Sequence, residues 1–181
     1  MNARLVVNVI GLLLVLTGCG KEARLKAQAV EDRAATPVLM ADTVTTLISD
    51  SGVTRYRIST ASWQVFDKAQ PPYWEFTEGI YLEKFNEALE VEASLQSDYA
   101  HYDQDAERWL LRGNVHAMNL AGERFDTEEL TWDQPSQSIY SDSAITITKE
   151  TSVIRGIGFR SNQTMSQYTI LHPTGFFPVE D

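Results

Sequence analysis

Between residues 98 and 159 one short phrase recurs, and it constrains the fold more than any other feature of the chain. An apolar or aromatic residue is followed by Asp, a polar turn comes next, and a β-branched run leads away. Tyr102-Asp103, Leu111-Arg112-Gly113-Asn114-Val115, Leu130-Thr131-Trp132-Asp133, Ile139-Tyr140-Ser141-Asp142 and Ile154-Arg155-Gly156-Ile157-Gly158-Phe159 are its pieces. Aromatic–Asp pairs fall at Phe66-Asp67, Tyr102-Asp103 and Trp132-Asp133, 36 and then 30 residues apart. A recurrence near this length marks stacked units, each too small to bury its apolar face alone. The drifting period predicts strand pairs folded over one another rather than a strict solenoid.

The alternation between these pieces has period two. Val91, Ala93 and Leu95 alternate with Glu90, Glu92, Ser94 and Gln96, and Ile139, Ser141, Ser143, Ile145 and Ile147 share one face. Further strands are expected over residues 44–48, 53–59, 62–66, 74–85, 99–102, 109–118, 130–132, 153–157 and 165–171. Asp50-Ser51-Gly52, Gln70-Pro71-Pro72, Ala121-Gly122-Glu123 and Asp133-Gln134-Pro135-Ser136 supply turns. Only over residues 83–92 does a helical turn compete. Strands at this spacing without helices predict an all-β sandwich, roll or sheet stack over residues 38–181.

The front of the chain is of another kind. Residues 1–18 read as an export signal, with Arg4 ahead of an apolar run, residues 5–16, too short for the ~20 residues of a membrane-spanning helix. Leu16-Thr17-Gly18-Cys19 matches the bacterial lipobox, in which the cysteine is acylated and the preceding peptide removed. Several acyl chains on Cys19 would anchor stably where one binds reversibly. The competing reading is an uncleaved anchor with an incidental cysteine. Residues 20–37 carry charges of alternating sign and no aromatic residue, which suits a short solvated helix or a tether.

Charge and cysteine content narrow the function. The formal net charge is −10, and residues 1–18 remove only Arg4, so the mature body is acidic. Nucleic acid and anionic headgroups both call for a basic footprint, and no nucleic-acid partner is expected. Cys19 is the only cysteine, so neither a disulfide nor a Cys–His catalytic pair is available. His101, His116 and His172 lack metal spacing, no cofactor motif is found, and Gly156-Ile157-Gly158 is too short for a dinucleotide loop. Asp103, Asp133 and Asp142 follow strand ends, where turn formation accounts for them better than paired-acid catalysis. No catalytic residue and no enzyme activity is expected.

The ordered pieces from Asp98-Tyr99-Ala100-His101-Tyr102-Asp103 to Ile154-Arg155-Gly156-Ile157-Gly158-Phe159, with Thr127-Glu128-Glu129-Leu130-Thr131-Trp132-Asp133 between them, resemble the LptC family. That family is the inner-membrane-attached periplasmic component of lipopolysaccharide export, related to the OstA-like fold of LptA. The resemblance is densest over residues 98–171. It departs at the front, where better known members hold a transmembrane helix and this chain has a lipobox. The resemblance implies a V-shaped, partly open β-jelly roll of stacked antiparallel strands. Its apolar trough would hold the acyl chains of lipid A, with Ile58, Leu82, Val91, Leu95, Trp132, Ile145, Ile147 and Phe159 as candidate lining, although a trough wall and a plain core look alike in sequence. One end would receive lipopolysaccharide from an LptBFG-type ABC transporter. The other would pair edge to edge with an LptA-like protein, with Gly156, Gly158, Tyr168 and Ile170 near that edge. The resemblance places the protein on the periplasmic side of the inner membrane; Gly20, rather than Asp, after Cys19 leaves the outer membrane open. An adaptor lipoprotein that binds protein instead of lipid is the alternative.

Overall fold

The computed structural model describes residues 33–175. The expected export signal, Cys19 and most of the tether lie outside the described residues, as do residues 176–181. The strands are β1 (Leu39–Asp50), β2 (Val53–Phe66), β3 (Tyr73–Phe76), β4 (Ile80–Phe85), β5 (Val91–Ser97), β6 (Tyr99–Asp103), β7 (Arg108–Asn119), β8 (Arg124–Asp133), β9 (Ser138–Thr148), β10 (Val153–Asn162) and β11 (Tyr168–Pro173). All pair antiparallel in one eleven-stranded sheet.

Strand β2 explains how this sheet becomes a jelly roll. Its first half pairs with β4, as in Ile58↔Leu82, and its second half with β3, as in Val65↔Trp74. Strand β7 does the same, taking β6 along residues 108–112 and β5 along residues 116–119. Thus β3 and β4 are two halves of one bent rung, and β5 and β6 are two halves of the next. A line of kinks crosses the rungs at Thr43 in β1 (φ 54°), Gly79 between β3 and β4 (φ 82°), Gly113 and Asn114 in β7 (φ 71° and 46°) and Gly158 in β10 (φ 80°). Gly113 and Gly158 fit because positive φ costs glycine nothing. The β8–β9 register breaks in the same zone, between Thr127 and Thr131.

A kink interrupts the ladder and leaves backbone groups unpaired in a buried place. Small hydroxyls supply the missing partners. Thr60 Oγ1 donates to Gly79 O at 2.7 Å, Thr127 Oγ1 donates to Ala144 O at 2.8 Å, and Ser141 Oγ donates to Glu129 O at 2.6 Å. All three residues are buried. Thr127→Val keeps the shape and removes the donor, so it is expected to cost about 1–3 kcal/mol of stability, measured by urea unfolding. A half-buried control on the opposite face of β9, Thr146→Val, pairs in the same hairpin and should change little.

Bending along this line brings the inner faces of the two half-sheets together. Ile58, Leu82, Leu95, Phe125, Ile145 and Ile147 lie before the bend, and Phe76, Trp109, Leu111, Leu130, Trp132 and Ile139 beyond it, all in one buried cluster. The turns fall in two rows, one along the free end of each half. The aromatic–Asp repeat marks one of these rows, since Phe66, Asp103 and Asp133 end β2, β6 and β8. Asp103 Oδ1 accepts the N–H of Ala106 at 2.9 Å, and Asp133 Oδ1 accepts the N–H of Ser136 at 3.0 Å and its hydroxyl at 2.7 Å. The two Ser136 donors, assisted by Arg108, hold the Asp133 carboxyl down at about 2. It is a fixed turn anchor and a poor proton donor. Asp142 sits differently, exposed in β9 and paired with Arg160 at 2.8 Å.

Several strands differ in extent from the sequence expectation. Residues 53–59 and 62–66 form one strand, whereas 74–85 splits at Gly79. Strand β1 spans twelve residues rather than five, and β11 starts at Tyr168, leaving Met165 in a loop. Over residues 83–92 the chain makes a tight turn, in which Asn86 Oδ1 accepts the N–H groups of Ala88 and Glu90.

Candidate functional site

The inner seam between the half-sheets and the free edges of the terminal strands are the two surfaces of this fold with something to offer. The seam is apolar and nearly filled. A cavity of about 30 Å³ remains, lined chiefly by Tyr56, Leu82, Leu95, Trp132, Ile139 and Met165. That is room for a water-sized molecule or two.

Seven of the eight candidate trough residues lie in the cluster that forms this seam: Ile58, Leu82, Leu95, Trp132, Ile145, Ile147 and Phe159. Leu82, Leu95 and Trp132 reach the cavity itself, while the other four pack elsewhere in the cluster. Val91 does not join them. It is 40% exposed, because the β4–β5 register shifts between Lys84 and Phe85 and interrupts the alternation that carries Ala93 and Leu95 inward. Tyr56, Ile139 and Met165 also line the cavity. Ile139 belongs to an alternating face visible in the sequence; Met165 belongs to no periodic face at all.

An aromatic ribbon leads away from the cavity along the inner face. Trp132 meets Tyr56 at 5.4 Å and Trp109 at 6.4 Å between ring centroids, and the ribbon continues through Tyr102 and Trp74 to Trp63. Such pairs add ~0.5–1.5 kcal/mol each beyond their buried area. Trp63 Nε1 and Trp132 Nε1 are buried with no hydrogen-bond partner among the described residues, a cost of about 1–3 kcal/mol for each unmet donor. Burial raises the Tyr56 phenol above its ordinary 10.0. Glu83 and Lys84 also line the cavity, each held in an ion pair, Glu83 with Arg57 and Lys84 with Glu92. Among the described residues no cluster of three or more His, Cys, Asp or Glu is placed to hold a metal ion.

The edges are open and carry little charge. Among the described strands, β1 pairs only with β2 and β11 only with β10. Natural edges are commonly blunted with lysine, proline or a bulge. Strand β1 is irregular between Ile48 and Ser49, but it has Asp42 as its one charge before the terminal Asp50 and leaves Leu39, Met40 and Leu47 exposed. Strand β11 has no Lys, Arg, Asp or Glu, and its proline comes last. Tyr168 and Ile170 lie on this terminal strand. Gly156 and Gly158 lie one strand further in, on β10, and are not on the edge. Their role is close approach: a Cβ on Gly156 would strike the Ile170 side chain and stand 2.7 Å from His172 O, and one on Gly158 would stand 2.9 Å from Leu171 Cδ1.

A family model described as lipopolysaccharide-assembly, LptC-related, matches residues 5–174. No curated protein matches the chain.

Proposed function

The chain belongs to the LptC-related family of lipopolysaccharide-assembly proteins, and from that premise we propose that it is a lipid-anchored relay that hands lipopolysaccharide from an ABC transporter to a periplasmic β-jelly roll bridge. The family serves lipopolysaccharide transport at the periplasmic side of the inner membrane and is not a family of enzymes. The observation that carries the finer reading is the pairing of a continuous apolar seam with two open sheet edges in one bent sheet. Each acyl methylene kept from water is worth ~0.8 kcal/mol, so a lipid with several chains needs continuous shielding across an aqueous gap. A jelly roll whose edge strands accept further strands extends that shielding from one protein to the next. Binding is passive, and ATP hydrolysis in the transporter supplies direction.

In this account acylated Cys19 holds the domain to the inner membrane and residues 20–37 give it reach. Depletion is expected to stop the arrival of new lipopolysaccharide at the cell surface, and wild-type protein to restore it. Cys19→Ser should leave the protein in the soluble periplasmic fraction. Fractionation of the wild type with the outer membrane would contradict the placement.

The filled seam favours a second reading, an adaptor lipoprotein that binds protein through its edges and no lipid. Depletion separates the two, since the adaptor predicts that surface lipopolysaccharide continues to appear.

A further inference from the structure

The β10–β11 loop, residues 163–167, does more than reverse the chain. It puts Met165 into the seam, where the side chain is 1% exposed and lines the cavity with Leu82, Leu95 and Trp132. Met165 has a φ of 54°, a conformation that side-chain-bearing residues rarely adopt. Something must hold it there. Within the loop, Asn162 O accepts the Met165 N–H at 3.0 Å, and Asn162 Oδ1 accepts the N–H of Ser166 at 3.0 Å. Across the mouth of the seam, Asn119 Nδ2 donates to Met165 O at 3.0 Å and to Glu123 Oε2 at 2.8 Å. Glu123 Oε1 in turn takes Lys149 Nζ at 2.9 Å and the Tyr168 hydroxyl at 3.3 Å. Asn119 and Glu123 flank the β7–β8 turn and Lys149 the β9–β10 turn, so this clasp ties the free end of one half-sheet to that of the other.

Outside the clasp lies an open cleft of about 500 Å³, lined by Asn119, Leu120, Glu123, Thr164 and Ser166 among others. Leu120 there is 67% exposed. Asn119, Thr164 and Ser166 line this cleft, Gln163 and Met165 line the inner cavity, and the Asn119–Met165 hydrogen bond joins the two sets. Methionine is unbranched and adaptable, the side chain that best imitates a short alkyl segment.

We propose that the β10–β11 loop is a displaceable plug, with Met165 occupying the place of one acyl chain, which enters from the cleft by drawing the loop out. This rests on the lipid-relay reading of the seam. Withdrawal exposes the clasp groups to water, which can satisfy them, so opening needs no strand to leave the sheet. It relieves the unfavourable backbone of Met165 and leaves an apolar slot running to Leu82, Leu95 and Trp132.

The test uses the full-length protein and a photoreactive dodecanoic acid, with labelled residues mapped by peptide sequencing. Labelling of Leu82, Leu95 or Trp132 is expected in the wild type, rising three- to tenfold in Met165→Ala, whose slot is already vacant. Because Met165→Ala loses core packing, hydrogen exchange on the wild type gives a second readout. The probe should speed exchange of the Met165 and Ser166 amides while amides in β7 and β8 stay protected. Equal labelling in the folded variant, or loop amides unchanged by a probe that labels the seam, overturns the plug. The same holds if the probe labels the seam of neither protein. Lipopolysaccharide captured in the seam with the loop unmoved would sink the plug and leave the relay standing. Fatty-acid labelling with loop opening, but no capture of lipopolysaccharide, supports the plug and removes the relay.

Discussion

Trp132→Ala is expected to lower the free energy of unfolding by about 3–5 kcal/mol, read from urea or thermal unfolding. Domains of this kind hold only ~5–15 kcal/mol in total, so the loss is a large part of their stability. The physical reason is position. Trp132 stands where the half-sheets face each other, touching Tyr56 across the seam and Trp109 along its own side. Truncation opens a void between two sheet halves whose strands are fixed by their ladders, and such a site collapses poorly. Trp132→Phe separates packing from polarity. It keeps a ring and removes the unpartnered Nε1–H, so its cost should be much smaller, within about 1.5 kcal/mol of wild type. Equal losses in the two variants would mean that the indole nitrogen has a partner in solution.

The second large effect concerns association. Thr169 is exposed on β11, opposite Arg160 in the β10–β11 register. Thr169→Lys places a charge on the open edge and leaves the fold within about 0.5 kcal/mol of wild type. Lysine is a natural guard of sheet edges, because strand addition would bury its ammonium group against the incoming backbone. Capture of an LptA-like partner should therefore weaken at least tenfold, about 1.4 kcal/mol or more. Leu47→Lys, on the opposite edge strand β1, serves as the comparison. If it alone abolishes that capture, the bridge docks on β1. If neither variant matters, strand addition is not how the bridge is built.

Periodicity makes the strands of this chain legible in its sequence, and long-range pairing decides the features that periodicity does not state. Residues 139–147 alternate cleanly, and β9 buries Ile139, Ser141, Ile145 and Ile147 on one face. The aromatic–Asp repeat locates strand ends because Asp103 and Asp133 accept N–H groups of the turns behind them, a local device that sequence records. The bend is different. Period two runs on through Thr60–Ser62 and Ser141–Ser143 without a break, since small residues suit both a flat strand and a kink whose backbone they must satisfy. Which neighbour β2 pairs with on either side of that kink is a long-range matter that no local pattern states. Val91 fell outside the seam for the same reason, as its strand shifts register against β4. Strand β1 read short because an edge strand with one neighbour is largely exposed and gives a weak alternation. Met165 lay beyond reach because a loop side chain buried by its backbone conformation has no periodic signature. Gly156 and Gly158 are expected near the partner edge and lie one strand in from it, since nothing local shows that β11 pairs beyond them.

The lipid relay requires that the inner seam carry lipid. Photo-crosslinking amino acids placed at Leu95, Ile145 and Phe159, with Glu92 as the outward control, test it in cells that are making lipopolysaccharide. The relay predicts lipopolysaccharide adducts at the three inward positions, dependent on an active transporter, and none at Glu92. Adducts confined to Glu92, or absent from all three inward positions in folded protein, would contradict it.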